Sequence, residues 1–311
     1  MKKQEVKVFA PASIGNVSCG FDVLGLAVQS PGDEVIMALN DSKEVTIKEI
    51  IGDDGRLPLE VNKNTAGVAV IEYLKSIGVV QGVEISLYKN LPLGSGMGSS
   101  AASGVAAVVA INHLMGEKLN REELLPFVME AERVACGSAH ADNAAPSLLG
   151  GLILVRQNHP LDIISIPTPK ELFCVLVHPQ IEVKTKDARS VLKSTISLRD
   201  GITQWGNTAA LVAGMMKNDY ELIGRSLVDV VAEPLRADLI PGFRRAKEIA
   251  IQNGALGCGI SGSGPTIFCL CRGKQNAQQA GDAVQQEFNA LNLKSEIYIS
   301  EVNREGAYIF A

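Results

Sequence analysis

Residues 90–104 read NLPLGSGMGSSAASG and combine four glycines and four serines ahead of an alanine-rich run. Glycines allow backbone N–H groups to approach a phosphate closely, because no Cβ stands in the way. A helix beginning at Ser99 would add the unpaired N–H groups and partial positive charge of its N-terminus. A tight turn into a buried helix would also explain the glycines. Glycines, paired serines and a helix start coincide here, which favours a phosphate-binding loop.

Two other glycine-rich segments could reach the same ligand. Residues 257–266, GCGISGSGPT, spell the dinucleotide pattern G-x-G-x-x-G, but they follow a predicted helix and lead into a predicted strand. That pattern binds a dinucleotide when it follows a strand and opens a helix, so we reject it here. The nucleotide P-loop is excluded too, because the chain contains no Gly-Lys-Ser/Thr. Residues 10–25 place Asn16 and Asp22 among glycines, where polar side chains contact a ligand or form Asx turns.

The composition limits the class of protein. The 311 residues are 46% hydrophobic and 20% charged, as in a compact globular protein of one large or two ordinary domains. The net charge of −5 argues against a nucleic-acid partner, and no apolar run reaches the ~20 residues of a membrane span. The first residues lack the apolar stretch of a signal peptide, and the six cysteines include no C-x-x-C. We therefore expect a cytoplasmic protein with reduced thiols.

The elements that must position the three segments mix strands with helices. Strand patterns predominate in the first third, and helices are predicted at 99–114 and 120–135. Asn120 and Glu123 form a capping-box pattern at the start of the second of these helices. The rest of the chain shows no strict βαβ alternation, so we predict an α+β fold with two domains. The predicted domains are residues 1–156 and 157–311.

Three motifs, in this order and spacing, resemble those of the GHMP small-molecule kinases. They are Pro11–Gly25, Pro92–Ser103 and Gly257–Thr266, and together they span nearly the whole chain. Within that superfamily the sequence is most similar to the homoserine kinases. The grounds are N-x-x-x-G-F-D-x-L-G in the first motif and the later segments His140–Pro146 and Glu233–Arg236.

The resemblance implies an enzyme that uses ATP to phosphorylate the side-chain hydroxyl of L-homoserine, giving O-phospho-L-homoserine for threonine synthesis. It implies an N-terminal ATP-binding domain similar to the second domain of ribosomal protein S5, followed by a ferredoxin-like domain, and it is compatible with a homodimer. The triphosphate would lie on the loop between the first sheet and the alanine-rich helix. The residues implied for it are Pro92, Leu93, Gly94, Ser95, Gly96, Met97, Gly98, Ser99, Ser100, Ala101 and Ala102.

The resemblance also implies where the metal and the reacting groups lie. Glu132 matches the Mg²⁺-binding glutamate of the family, with Ser100 as the hydroxyl partner, although Glu132 could instead be a solvated helix residue. Related kinases place a catalytic aspartate where this chain has Asn143, and an amide is no base at neutral pH. The hydroxyl proton would then pass directly to a γ-phosphate oxygen while Asn143 orients the hydroxyl. The neighbouring His140 is assigned a structural role.

Homoserine is a zwitterion, so its site needs an acid for the ammonium and cations for the carboxylate. Asp22, assisted by Asn16, matches the family position for the ammonium. Arg189, in the segment that begins at Thr185, and Arg236 match the carboxylate clamp, where a guanidinium fork suits a carboxylate. Thr185 is included among the implied substrate-binding residues.

One residue departs from the family pattern. Homoserine kinases usually carry a glycine two places after Asn16, whereas this chain has Ser18, which would restrict the substrate loop.

Two other functions stay open: a GHMP-fold kinase of another small alcohol, such as mevalonate, and a nucleotide-binding protein without catalysis. Turnover of ATP across a panel of alcohols distinguishes the three.

Overall fold

A computed structural model describes residues 4–137, 139 and 141–311, so the structural role predicted for His140 lies outside the described residues. The strands are β1 Glu5–Gly15, β2 Leu24–Asn40, β3 Val45–Ile51, β4 Gly82–Tyr88, β5 Leu152–Asn158, β6 Leu161–Ile166, β7 Leu172–Pro179, β8 Ala255–Ile260, β9 Ile267–Arg272, β10 Ser295–Glu301 and β11 Tyr308–Ile309. The helices are α1 Thr65–Ser76, α2 Ser99–Leu114, α3 Arg121–Cys136, α4 Ala141–Leu149, α5 Thr185–Ser190, α6 Leu198–Lys217, α7 Tyr220–Ser226, α8 Glu233–Arg236, α9 Phe243–Gln252 and α10 Lys274–Ala290.

A mixed sheet forms the first layer. Its strand order is β11-β1-β2-β4-β3, with β5 paired to β2 and β6 paired to β5. Neighbouring strands are antiparallel except β3 and β4, which run parallel. The alternating patterns predict strands at residues 5–10 and 34–39, and β1 and β2 are longer than these. A register shift between Pro11 and Ser13 bends β1 where it approaches the first glycine-rich segment.

The second sheet is antiparallel and has the order β10-β7-β9-β8. Counted along the second half of the chain, this is strand order 4-1-3-2, with α9 before the second strand and α10 between the third and fourth. That is the ferredoxin-like arrangement implied by the resemblance. Residues 257–266 turn from β8 into β9 rather than into a helix, which confirms that they are not a dinucleotide fingerprint.

The domain boundary near Arg156 stays a prediction. Strand β6 lies beyond that residue, yet it pairs with β5 and so belongs to the first sheet. The short strand β11 also returns to β1 from the far end of the chain. We propose that the first domain extends through Ile166 and is completed by the last residues of the chain.

Helix α2 is the centre of the first domain. Every one of its residues except Ser100 and His113 is buried, and most are alanine, valine, glycine or serine. These small side chains allow the helix to pack closely against the sheet and against α1, α3 and α4. The helix therefore has a fixed position, and its N-terminus is fixed with it. None of the helices in the described part of the chain is long and apolar enough to cross a membrane.

Candidate active site

The three glycine-rich segments meet at the N-terminus of α2. Backbone hydrogen bonds tie each segment to the others, although they are up to about 250 positions apart in the sequence. These bonds run from Ser13 N to Met97 O (3.1 Å), from Gly262 N to Gly15 O (3.1 Å) and from Thr266 N to Ser95 O (3.0 Å).

Gly96 and Gly98 have backbone conformations that favour glycine, with φ of +79° and +70°. A Cβ on Gly96 would stand 2.3 Å from the carbonyl oxygen of Ser261, so this glycine is required by the packing of one loop on another. From the sequence we expected this glycine to allow phosphate approach or a tight turn, and its contact with the third glycine-rich segment was not predicted. Gly98, and not a serine, is the N-cap of α2, and it supplies no side-chain hydrogen bond. The first N–H groups of α2 therefore have no side-chain cap, which suits an anionic ligand.

A cavity opens between this loop and the second half of the chain. Pro92 and Leu93 do not line it, and Met97 and Ala102 are buried in the core instead. The other residues predicted for substrate, metal and catalysis do line it. Its lining consists of Asn16, Asp22, Gly94, Ser95, Gly96, Gly98, Ser99, Ser100, Ala101, Glu132, Asp142, Asn143, Thr185, Arg189, Arg236, Gly262 and Ser263.

Glu132 lies at the α2 end of the cavity. It is 5% exposed, so it is not a solvated helix residue. Burial raises its pKa to about 7, while a hydrogen bond from Ser100 and the charge of Lys89 act in the opposite direction. Its Oε1 atom is buried and has no hydrogen-bond partner among the described residues. A buried carboxylate oxygen without a partner is costly, which fits a place where a cation binds.

Lys89 and Asp33 hold the glycine-rich loop that precedes α2, and neither was predicted to be part of the site. They form a fully buried ion pair, and Lys89 Nζ also donates to Ser99 O at 2.9 Å. The other oxygen of Asp33 accepts the backbone N–H groups of Asn90 and Leu91, both at 3.0 Å. The pair thus fixes both ends of the phosphate-loop candidate. The sequence signal was weak, because Pro31-Gly32-Asp33 has the composition of a turn, although the structure places these residues within β2.

Asn143 lies on α4, facing the first glycine-rich segment. The hydroxyl of Ser13 donates to Asn143 Oδ1 at 3.1 Å, which leaves the amide N–H groups of Asn143 as donors. A side chain held in this way can orient an acceptor such as a hydroxyl oxygen, as expected from the sequence. It has no group that can remove a proton.

At the opposite end, the residues predicted to hold the two charges of the substrate hold each other. Arg189 Nη2 donates to Asp22 Oδ1 and Oδ2, at 2.9 and 3.0 Å. Arg236 is 5% exposed, and it donates from Nε to Ala188 O and from Nη1 to Gly262 O. Thr185 lies at the exposed start of α5 beside this group.

Asn16 lines the cavity, but both ends of its amide group are used in holding the loop between β1 and β2. Its Nδ2 donates to Gly262 O at 2.9 Å, and its Oδ1 accepts the backbone N–H of Asp22 at 2.9 Å. Ser18, where the family usually has glycine, has φ of +63°, a conformation that glycine adopts without strain. The serine that replaces the usual glycine of the family therefore has a backbone conformation that is unusual for a serine.

Two family models match the chain on either side of this cavity. The GHMP kinases N terminal domain model matches residues 64–151, and the GHMP kinases C terminal model matches residues 210–290. The homoserine kinase of Chlorobium phaeobacteroides strain BS1 is 53% identical, over 97% of this chain and 98% of the relative. The chain belongs to the GHMP kinases, in the homoserine kinase family. The homoserine kinase of Xylella fastidiosa strain M12 is 39% identical, over 97% of this chain and 93% of its own.

Solved structures agree with this homoserine kinase family membership. The crystal structure of homoserine kinase from Cytophaga hutchinsonii has a TM-score of 0.98 and 53% identity, covering 100% of this chain and 98% of that one. L. major mevalonate kinase, at 17% identity and a TM-score of 0.73 over 96% of this chain and 97% of its own, shares the fold alone. The fold and family predicted from the three motifs are confirmed.

Asp142 is a further acidic residue of the cavity, and the sequence reading passed over it. It is buried beside Asp22 and faces Arg189 and Arg236. Burial raises its pKa from 3.8 to about 7, and the charge of Asp22 acts in the same direction. The backbone N–H of Asn16 and the charge of Arg189 oppose this shift.

We expect the Asp142 carboxyl to make stability fall as pH rises. The folded protein holds this proton up to about pH 7, whereas the unfolded chain loses it near pH 4, so between those values the folded state binds more protons. Since one pKa unit corresponds to about 1.4 kcal/mol, the change across this range amounts to a few kcal/mol. Asp142→Asn, compared with the parent by urea unfolding, should gain relative stability from pH 5 to pH 8. A difference that stays constant with pH would contradict this.

Proposed function

We propose that this protein transfers the γ-phosphoryl group of ATP to the side-chain hydroxyl of L-homoserine, giving O-phospho-L-homoserine for threonine biosynthesis. The observation that carries the proposal is that the two ends of one cavity differ in their chemistry. One end has an uncapped helix N-terminus beside a buried carboxylate. The other has two acids and two arginines, as a small zwitterion requires.

The triphosphate end is built by the loop that precedes α2. Gly94, Gly96 and Gly98 all have positive φ, so the loop turns sharply and the first turn of α2 faces the cavity. Backbone N–H groups at a helix N-terminus bind phosphate without any side-chain charge. We propose that residues 94–101 hold the phosphates of ATP in this way. The buried Asp33–Lys89 pair would keep the loop in place as ligand enters and leaves.

Glu132 and Ser100 are the proposed Mg²⁺ ligands. Carboxylate and hydroxyl oxygens suit this hard cation, which keeps several waters and needs only one or two protein carboxylates. The unpartnered Glu132 Oε1 supports the assignment. When bound, Mg²⁺ would neutralise charge that develops on the β- and γ-phosphate oxygens. The described residues contain no cluster of three or more His, Cys, Asp or Glu side chains suited to a metal, so the proposed site relies on a single protein carboxylate.

When homoserine binds, the Asp22–Arg189 ion pair would be replaced by two ion pairs with the substrate. Asp22 and Arg189 have side chains 39% and 38% exposed, and an ion pair this accessible contributes only ~0–1 kcal/mol. Homoserine can therefore separate them at little cost, with its ammonium on Asp22 and its carboxylate on Arg189 and Arg236. Asp142 lies beside this pair, and a bound ammonium would favour its ionised form. A carboxylate without an ammonium, such as mevalonate, would meet these acids without compensation.

Positioning and charge would carry the reaction. Asn143, held by Ser13, would donate a hydrogen bond to the homoserine hydroxyl oxygen and direct it at the γ-phosphorus. The hydroxyl proton would pass to a γ-phosphate oxygen, because the amide of Asn143 cannot accept it. Phosphoryl transfer tolerates this, since its transition state is stabilised mainly by alignment and charge neutralisation.

An assay of ADP release with Mg²⁺ tests the proposal across a panel of alcohols. We expect strong stimulation by L-homoserine and little by R-mevalonate. Stimulation by mevalonate alone would favour another alcohol kinase of this fold. ATP binding without turnover of any alcohol would favour a nucleotide-binding protein that lacks catalysis.

A cytoplasmic location is proposed from the sequence features given above, and a homodimer is proposed on the family resemblance. We expect the purified protein to sediment at twice the mass of its 33.0 kDa chain at micromolar concentration. Analytical ultracentrifugation over a concentration series measures this. A single species at the chain mass throughout the series would contradict the homodimer.

A further inference from the structure

The loop between β1 and β2 has a strained backbone. Asn16, Val17 and Ser18 are consecutive and have φ of +69°, +42° and +63°. This region is unfavourable for residues other than glycine, and most of all for a β-branched residue such as Val17. Such a conformation persists only when the surrounding structure holds it. The loop carries Asp22, so what holds it also places the proposed ammonium partner.

Gln204 of α6 holds this loop from the other half of the chain. It is a polar residue on the buried face of the helix, and it is 7% exposed. Its Nε2 donates to the carbonyl oxygen of Cys19 at 2.8 Å, within the strained loop. Thr208, one turn further along α6, donates to the same oxygen at 2.8 Å. Two side chains of α6 thus hold the loop at Cys19.

The same amide group of Gln204 holds the segment that leads to Arg236. Nε2 donates to Asp229 Oδ1 at 3.0 Å, and Oε1 accepts the backbone N–H of Val230 at 2.9 Å. Asp229 in turn accepts the N–H groups of residues 231, 232 and 233, and so fixes the turn that leads into α8. Arg236 ends that helix. Gln204 therefore contacts both supports of the proposed substrate site.

These contacts close into a ring. Asn16, in the strained loop, and Arg236, on α8, both donate to Gly262 O, each at 2.9 Å. Phe21 of the loop also lies beneath the guanidinium of Arg236, with 5.1 Å between Arg236 Cζ and the ring centroid. A displacement on one side of the ring must therefore change the separation between Asp22 and Arg236.

We propose that Gln204 is a positioning residue that sets the separation of the ammonium and carboxylate partners of the substrate. This rests on the function proposed above. Gln204 touches neither ligand, and its three hydrogen bonds fix the strained loop and α8 relative to each other. Its effect should accordingly fall on homoserine and leave ATP nearly unaffected.

Gln204→Met tests this, because methionine keeps the length and shape of the side chain and removes all three hydrogen bonds. We expect the KM for homoserine to rise by about tenfold, with the KM for ATP within twofold of the parent. Gln204→Glu should be worse, since it places a carboxylate oxygen against Cys19 O and Asp229. Thr203→Val on the same helix, which loses only a bond to Arg199 O, is the matched control and should match the parent.

Hydrogen exchange separates this inference from the proposed function. In Gln204→Met the amides of residues 17–22 should exchange at least tenfold faster than in the parent, while those of α2 keep their protection. That result supports the positioning role even if the parent turns over no homoserine, in which case only the proposed function fails. Unchanged exchange in residues 17–22 would overturn the inference. So would an unchanged homoserine KM in a parent that does phosphorylate homoserine, or equal increases in both KM values.

Discussion

Glu132→Gln should lower turnover by on the order of 100-fold while leaving the fold as stable as the parent or more so. The substitution keeps the shape of the side chain and removes the negative charge that the proposed Mg²⁺ site requires. The gain in stability is expected because the buried carboxylate has a raised pKa, of about 7, and its ionised form is therefore unfavourable in the folded state. Steady-state kinetics and urea unfolding at pH 8 measure the two effects, and high Mg²⁺ should restore part of the activity.

Glu130→Gln is the matched control, on the same helix. The side chain of Glu130 is 38% exposed, and it accepts a hydrogen bond from Arg133 Nε at 2.7 Å, outside the cavity. This variant should keep the activity of the parent within about twofold. If Glu132→Gln also stayed within twofold, Glu132 would have no part in metal binding. If Glu132→Gln lost activity only because it unfolded, the proposed assignment would be wrong as well.

Arg236→Lys should raise the KM for homoserine by tenfold or more and leave ATP affinity near that of the parent. Lysine keeps the positive charge but loses the planar fork, so a bidentate contact with the carboxylate becomes a single one. A hydrogen bond to a charged group contributes ~1.5–3 kcal/mol, and each 1.4 kcal/mol is about tenfold in affinity. Steady-state kinetics for homoserine and calorimetric titration of ATP provide the two readouts.

Two further variants accompany Arg236→Lys, one as a parallel test of the substrate site and one as a control. Asp22→Asn should weaken homoserine use to a comparable extent, because it removes the proposed ammonium partner. Arg244→Lys should have no effect, since Arg244 is exposed and pairs with Asp238 at the surface. A homoserine KM within twofold of the parent in both Arg236→Lys and Asp22→Asn would show that neither residue recognises the substrate.

Local chemistry predicted the elements that build the site. The bounds of α2 were predicted in full, because a run of small apolar residues follows a glycine-rich loop. The capping box of Asn120 and Glu123 at the start of α3 is confirmed, with both reciprocal hydrogen bonds present. The N-cap of α2 is Gly98. Sequence preference favours a serine there, but the close packing of three loops selects a glycine with positive φ.

Contacts between distant residues could not be predicted in the same way. The Asp33–Lys89 pair joins residues 56 positions apart, and Asp22–Arg189 joins residues 167 apart. Nothing in the local pattern of either residue indicates its partner. Strand β11 was missed because it has two residues, and β6 was missed because only one of its six residues is buried, at the margin of the first sheet. The sequence pattern predicts a helix from Tyr220 to Val231, but α7 ends at Ser226, because the next residues turn around the side chain of Asp229.

The most direct test of the proposed function is a competition between two acceptors for one limited supply of ATP. Equimolar L-homoserine and 3-amino-1-propanol, which lacks only the carboxylate, are incubated with the protein and Mg²⁺, and the phosphorylated products are resolved by ³¹P NMR. The arginine-lined end of the cavity predicts O-phospho-L-homoserine in at least 100-fold excess, because the amino alcohol would leave Arg189 and Arg236 without a carboxylate partner. Comparable amounts of the two phosphate esters, or no homoserine ester, would contradict the proposal.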